Sequence, residues 1–188
     1  MLQKFILICP LRHQIAEGYL RNVRRAITHT IVGGEAATER KVSLPPCVVL
    51  LPPFFAIEEQ VRELTFGLKI LSALFEEMRE RGSRISVRGL FVLKKKDEDV
   101  LVSRASYPAH IQRALESAFE YLPSAIQLAH TAPGGLWAPH VKLLEGVGIG
   151  SILSGTPSVD FNAVVDEAVA LPCLMVKKEG VWTEYQIK

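Results

Sequence analysis

The chain has 188 residues, 48% of them apolar, and a formal net charge of +2 from 22 basic and 20 acidic side chains. That length suits one compact domain or two small, closely packed lobes, with enough apolar residues to bury a core without staples. The near balance of charge argues against bulk nucleic-acid binding. Cys9, Cys47 and Cys173, odd in number and in no metal-like spacing, argue against a secreted disulfide scaffold and fit a reducing cytoplasm.

Taken in chain order, Lys4–Cys9 reads as a strand ended by Pro10; it is too short an apolar run for a secretory leader and lacks a small-residue cleavage site. Leu11, Ile15, Tyr19 and Val23 recur at four-residue steps, with Arg12, Arg21, Arg24 and Arg25 elsewhere, which predicts an amphipathic helix. Thr28–Ser43, with Gly33-Gly34 and mixed charge, reads as a loop. A strand begins at Cys47 and is expected to end at Pro52-Pro53. Those prolines also interrupt the longest apolar run, so no membrane span is expected.

From Ile57 to Met78 the residues Ile57, Val61, Leu64, Leu68, Leu71, Leu74, Phe75 and Met78 follow one helical face, and Gly82 stops the helix. Ser83–Leu93 looks extended and, through the charged turn Lys94–Asp99, pairs with Val100–Val102 as a hairpin. A third helix starts near Pro108, with Ile111, Leu115, Ala118, Phe119 and Leu122 as its apolar stripe. A Gly134-Gly135 loop introduces a strand at His140. Val159–Leu171 has no clean period and admits a short helix. Cys173–Val176 and Val181–Tyr185 form a hairpin around Gly180.

Gly146-Val147-Gly148-Ile149-Gly150 invites a dinucleotide-binding reading, but its third glycine comes one place early and Gly155 and Pro157 would interrupt the following helix. It is read as a flexible loop. The order of elements is not the regular alternation of a parallel α/β fold; it suits an α+β protein with antiparallel sheets backed by helices.

Two look-alike segments carry the chemistry. Pro46-Cys47-Val48-Val49-Leu50-Leu51 and Pro139-His140-Val141-Lys142-Leu143-Leu144 each place a reactive residue just after a proline and before an apolar run. The pairing resembles the two signature strands of the 2H phosphoesterases, the superfamily of the 2′-5′ RNA ligase-like and cyclic phosphodiesterase-like proteins. In that family each strand carries His-x-Thr or His-x-Ser. The C-terminal Gly180-x-Trp182-x-x-Tyr185 is also similar to the last strand of RNA ligase-like members. The resemblance implies a single bilobal domain over 1–188, with two pseudo-symmetric lobes of antiparallel sheet and outer helices around a central cleft.

It further implies a phosphodiester partner (an RNA end, a 2′,3′-cyclic or a 2′-5′-linked nucleotide) and chemistry without metal or cofactor. One imidazole takes a proton from the attacking oxygen while the other supplies one to the leaving oxygen. The residue two positions on shares the strand face and can hold a phosphate oxygen. Carried over residue by residue, His140 matches the second catalytic histidine and Lys142 stands at its hydroxyl position, where an ammonium still meets phosphate as a point charge. Cys47 and Val49 occupy the degenerate first motif. His13, His29, His110 and His130 all lack Ser or Thr two residues on.

Plainer readings stand beside these. Cys47 reads first as a small buried apolar residue, and a thiol–imidazole pair with His140 is the sharper alternative. His140 reads alone as a strand-edge histidine, and Lys142 as a solvated charge. The function expected is a divergent phosphoesterase-like protein in the cytoplasm. The alternative is a catalytically inactive descendant binding nucleotide, RNA or a protein partner in the same cleft.

Overall fold

A computed structural model describes residues 1–11, 44, 47–94, 99–119, 139–146, 165–168 and 170–186. The predicted helix after Leu11, the Thr28–Ser43 loop, the Gly134-Gly135 loop and the glycine-rich run after Gly146 lie outside these residues. Among the described residues the strands are β1 (Gln3–Pro10), β2 (Cys47–Ala56), β3 (Arg84–Lys94), β4 (Asp99–Ser106), β5 (His140–Gly146), β6 (Val165–Ala168), β7 (Cys173–Lys178) and β8 (Val181–Glu184). The helices are α1 (Glu58–Glu80) and α2 (Ala109–Phe119).

All eight strands form one antiparallel sheet in the order β6-β3-β4-β5-β2-β1-β7-β8. The two sheets expected from sequence are joined here into one. Its two four-stranded halves meet at the β2–β5 pairing, which runs through Val48 with Val141 and Val49 with His140.

The helix α1 covers one face. Val61, Leu64, Leu68, Leu71, Phe75 and Met78 are buried on its inner stripe and pack with Phe5, Leu7, Val48, Leu50, Val141 and Leu174 of the sheet. Its start lacks a side-chain cap: Ile57 has no acceptor, and only the return half of a capping box forms, with Gln60 Oε1 accepting from Ile57 N–H at 3.0 Å. Its end is a Schellman motif. Ser83 N–H donates to Met78 at 2.9 Å and Gly82 N–H to Arg79 at 3.0 Å, with Gly82 in the left-handed region at φ 64°. The α2 helix lies against α1.

Two further expectations change. β2 does not end at Pro52-Pro53 but runs on to Ala56. Among the described residues β5 pairs with β2 only at Val48 and Val49, and the prolines fall where the β1–β2 register shifts. Missing N–H groups are tolerated at an open strand edge or irregularity. Within Val159–Leu171, the described residues Val165–Ala168 are a strand, β6, beside β3. A segment this short takes its conformation from the sheet edge it completes rather than from propensity.

The C-terminal hairpin forms as expected. Lys178 pairs with Val181, leaving Glu179 and Gly180 as a two-residue loop with φ of 49° and 85°. Positive φ at both positions is the signature of the type I′ turn that matches strand twist.

The packing of α1 is directly testable. Leu71→Ala, at a fully buried position, should lower unfolding free energy by about 2–5 kcal/mol in a urea titration. Glu63→Ala, on the solvent face, should stay within about 0.5 kcal/mol of wild type.

Candidate functional site

The two look-alike segments become neighbouring strands at the centre of the sheet. The register sets Val49 opposite His140. Carried one residue further, it sets Cys47 opposite Lys142. Because side chains alternate, Cys47, Val49, His140 and Lys142 all point to the sheet face away from α1. The strand β4 flanks β5 on the other side, with Arg104 opposite His140 and Val102 opposite Lys142. The start of β5 is pinned by Ala105 N–H, which donates to the Pro139 carbonyl at 2.9 Å.

The two halves of the site differ in environment. Cys47 and Val49 are only 4% and 1% exposed and pack with Ile6, Ile8, Leu44 and Met175. His140 and Lys142 are half-buried at the border of this apolar cluster. Burial pushes the Cys47 thiol up to about 12; nearby Cys173 adds to the shift and the Lys142 ammonium opposes it. Cys9, on the opposite face, is raised well above the ordinary thiol value by burial, with Cys173 and Cys47 contributing. A thiol kept protonated is a poor nucleophile. The structure thus places Cys47 as the small buried residue of the plainer reading, opposite Lys142 and one step diagonal to His140.

What remains is an imidazole and an ammonium side by side on one strand, next to an exposed guanidinium on another. Such a set can hold a phosphate group and move one proton. An open cavity of about 530 Å³ lies elsewhere, lined by Gln3, Arg62, Lys178 and Glu184 among others. Its mixed charge and a lining that includes no residue of β5 set it apart from this chemistry.

Neither a protein-family model nor a curated protein sequence matches the chain. Among solved structures it is similar to Kluyveromyces marxianus Usb1, with a TM-score of 0.55 and 16% identity over 97% of this chain and 96% of that one. At that identity the likeness shows the fold alone. It extends over nearly the full length of both chains, in keeping with the antiparallel architecture read from the sequence.

Sequence reasoning did not single out Arg104, because nothing in the chain order reveals that β4 is the second neighbour of β5. Arg88 lies opposite Arg104 on β3. Among the described residues neither arginine forms an ion pair.

The thiol environments predict an order of reactivity. Under native conditions near pH 8, half-buried Cys173 should alkylate at least about tenfold faster than Cys47 or Cys9, read by peptide mass mapping. The folded-state value of Cys47 lies above the unfolded one, about 8.5, so the folded chain keeps a proton that the unfolded chain releases. Its contribution to stability is full below about pH 8.5 and declines as pH rises toward about 12. Urea midpoints should therefore fall between pH 8 and pH 11, and fall less in Cys47→Ala.

Proposed function

We propose that this chain is a divergent 2H phosphoesterase-like protein, a single bilobal domain that takes phosphodiesters at His140 and Lys142. RNA ends and 2′,3′-cyclic or 2′-5′-linked nucleotides are the ligand class. The observation that carries the reading is the register of β2 and β5. The two segments that resemble the family's signature strands lie side by side at the sheet centre, with both motif positions on one face. The full-length likeness in fold to Usb1 supports the architectural part of the proposal.

In this reading Lys142 neutralises a phosphate oxygen and His140 donates to, or takes a proton from, an oxygen of the ester. The first-motif positions contribute neither a donor nor a base, since Cys47 and Val49 are enclosed in an apolar cluster. Loss of one member of a proton-transfer pair lowers rate by about 10²–10⁴-fold. That burial favours the binding form of the proposal, a descendant that holds nucleotide or RNA in the same place with little turnover.

Titration with a 2′,3′-cyclic nucleotide tests the site. His140→Ala and Lys142→Ala should each weaken binding about tenfold, the share expected of a charge-assisted contact, while each variant still unfolds in one cooperative transition. Equal affinity across wild type and both variants would remove these residues from the role. Turnover of cyclic nucleotides and short 2′-5′-linked RNA should be slow and should vanish in His140→Ala; turnover that survives that change would put the chemistry elsewhere.

A further inference from the structure

The strand β3 carries one irregularity, and it changes which side chains share the His140 face. Arg88 pairs with Arg104, and Phe91 pairs with Val102, so Gly89 and Leu90 together stand opposite the single residue Ser103. Gly89 has φ 70°. This is a bulge of the kind that needs glycine in the left-handed region at its first position.

The extra residue reverses the alternation. Without it, Phe91 would sit on the α1 face with Val87. With it, Phe91 joins Arg88 and Arg104 on the His140 face, and Val92 takes the opposite face and packs on the main core. The outcome is an aromatic ring left 51% exposed, although burying it would be favourable.

The ring faces Val102 across the strands and has exposed Leu93 on one side, with Arg88 and Arg104 on the other. One row across the sheet runs Val49, His140, Arg104, Arg88, and the adjacent row runs Lys142, Val102, Phe91. Arg88 and Arg104 are directly opposite one another, exposed, and without an ion-pair partner among the described residues. Like charges facing each other across two strands are destabilising, and an anion set between them removes that repulsion. Guanidinium forks match phosphate oxygens in pairs. The row from His140 to Arg88 spans two strand spacings, about 10 Å, room for a second phosphate beside one held at His140.

We propose that Arg88, Arg104 and Phe91 form a second nucleotide subsite, in which the two guanidiniums hold the phosphate next to the one at His140 and the Phe91 ring stacks under a base. This extends, and rests on, the phosphodiester reading of His140 and Lys142. The ligand class is then a single-stranded oligonucleotide of at least two nucleotides, in preference to an isolated cyclic nucleotide. A cationic track with an interleaved aromatic is the general means of holding single strands without reading sequence.

The test measures binding of a fluorescently labelled eight-nucleotide single-stranded RNA and, in parallel, of a 2′,3′-cyclic mononucleotide. Wild type should bind the octamer more tightly. Phe91→Ala should lower octamer affinity about 5- to 150-fold, the range of base–aromatic stacking, and Phe91→Tyr should restore it. Arg88→Gln and Arg104→Gln should each weaken the octamer and reduce its salt slope by about 0.7. In all three loss variants the octamer should lose more affinity than the mononucleotide. These residues are exposed, so folding should be preserved; Gly89→Ala, whose added Cβ would come 3.2 Å from the Phe91 ring at a strained φ, should mimic Phe91→Ala.

Octamer affinity that is no higher than that of the mononucleotide, or is indifferent to Phe91→Ala and both arginine changes, would overturn the subsite. Failure of the His140 reading looks different. Mononucleotide binding would then be absent or insensitive to His140→Ala, while the octamer still depended on Phe91 and the arginines.

Discussion

The pairing of β2 with β5 runs through Val48–Val141 and Val49–His140, and the position of every residue at the candidate site follows from it. This short ladder joins two four-stranded halves into one sheet. It is held less by its own hydrogen bonds than by what lies on either face. On one side Val48, Leu50 and Val141 pack under α1, and on the other Cys47 and Val49 pack with Ile6, Ile8 and Met175. A strand buried on both faces needs a continuous apolar run, and Cys47–Leu51 is one. A slip of one residue would send His140 into the core under α1 and bring Val141 to the open face.

The same burial explains why the site is lopsided. A motif strand at the centre of a single sheet has neighbours on both sides, so a polar residue there must be satisfied or exposed. At Cys47 and Val49 the chain carries residues that need neither, and the apolar cluster closes over them. His140 and Lys142 lie one strand further along, at the border of that cluster, and beyond them the exposed side chains of the face include Arg104 on β4 and Arg84, Arg88, Phe91 and Leu93 on β3. Exposed charge on this face thus lies on the β4–β3 side of the sheet and not over β1 and β2.

Much of the architecture was legible in single segments. The α1 stripe was read from 3.6-residue spacing because that face is buried along its whole length, and Gly82 marked its end because a left-handed C′ residue costs glycine nothing. The Glu179-Gly180 turn was legible for the same reason. Pro52-Pro53 misled, since a proline breaks a strand only where its N–H is required, and whether it is required depends on which strand lies alongside. Val165–Ala168 was not legible as a strand, because four residues at a sheet edge carry too little pattern to outweigh their context. The bulge had a signal, a lone glycine inside an extended run, but its effect on Phe91 depends on the register with β4.

Local composition and periodicity decided the type of most elements, the ends of α1, the tight C-terminal turn and the two proline-led segments with His140 and Lys142 on one strand face. Those properties depend on spacing along the chain, through torsional preference and the alternation of side chains. Tertiary structure alone decided that the two segments are adjacent, that Cys47 and Val49 are enclosed while His140 is not, and that Arg104 and Arg88 continue the row of His140 with Phe91 in the next row. Strand order and register are long-range choices, made by burial over the whole sheet, and residues far apart in sequence carry no mark in the chain of which partner they will face.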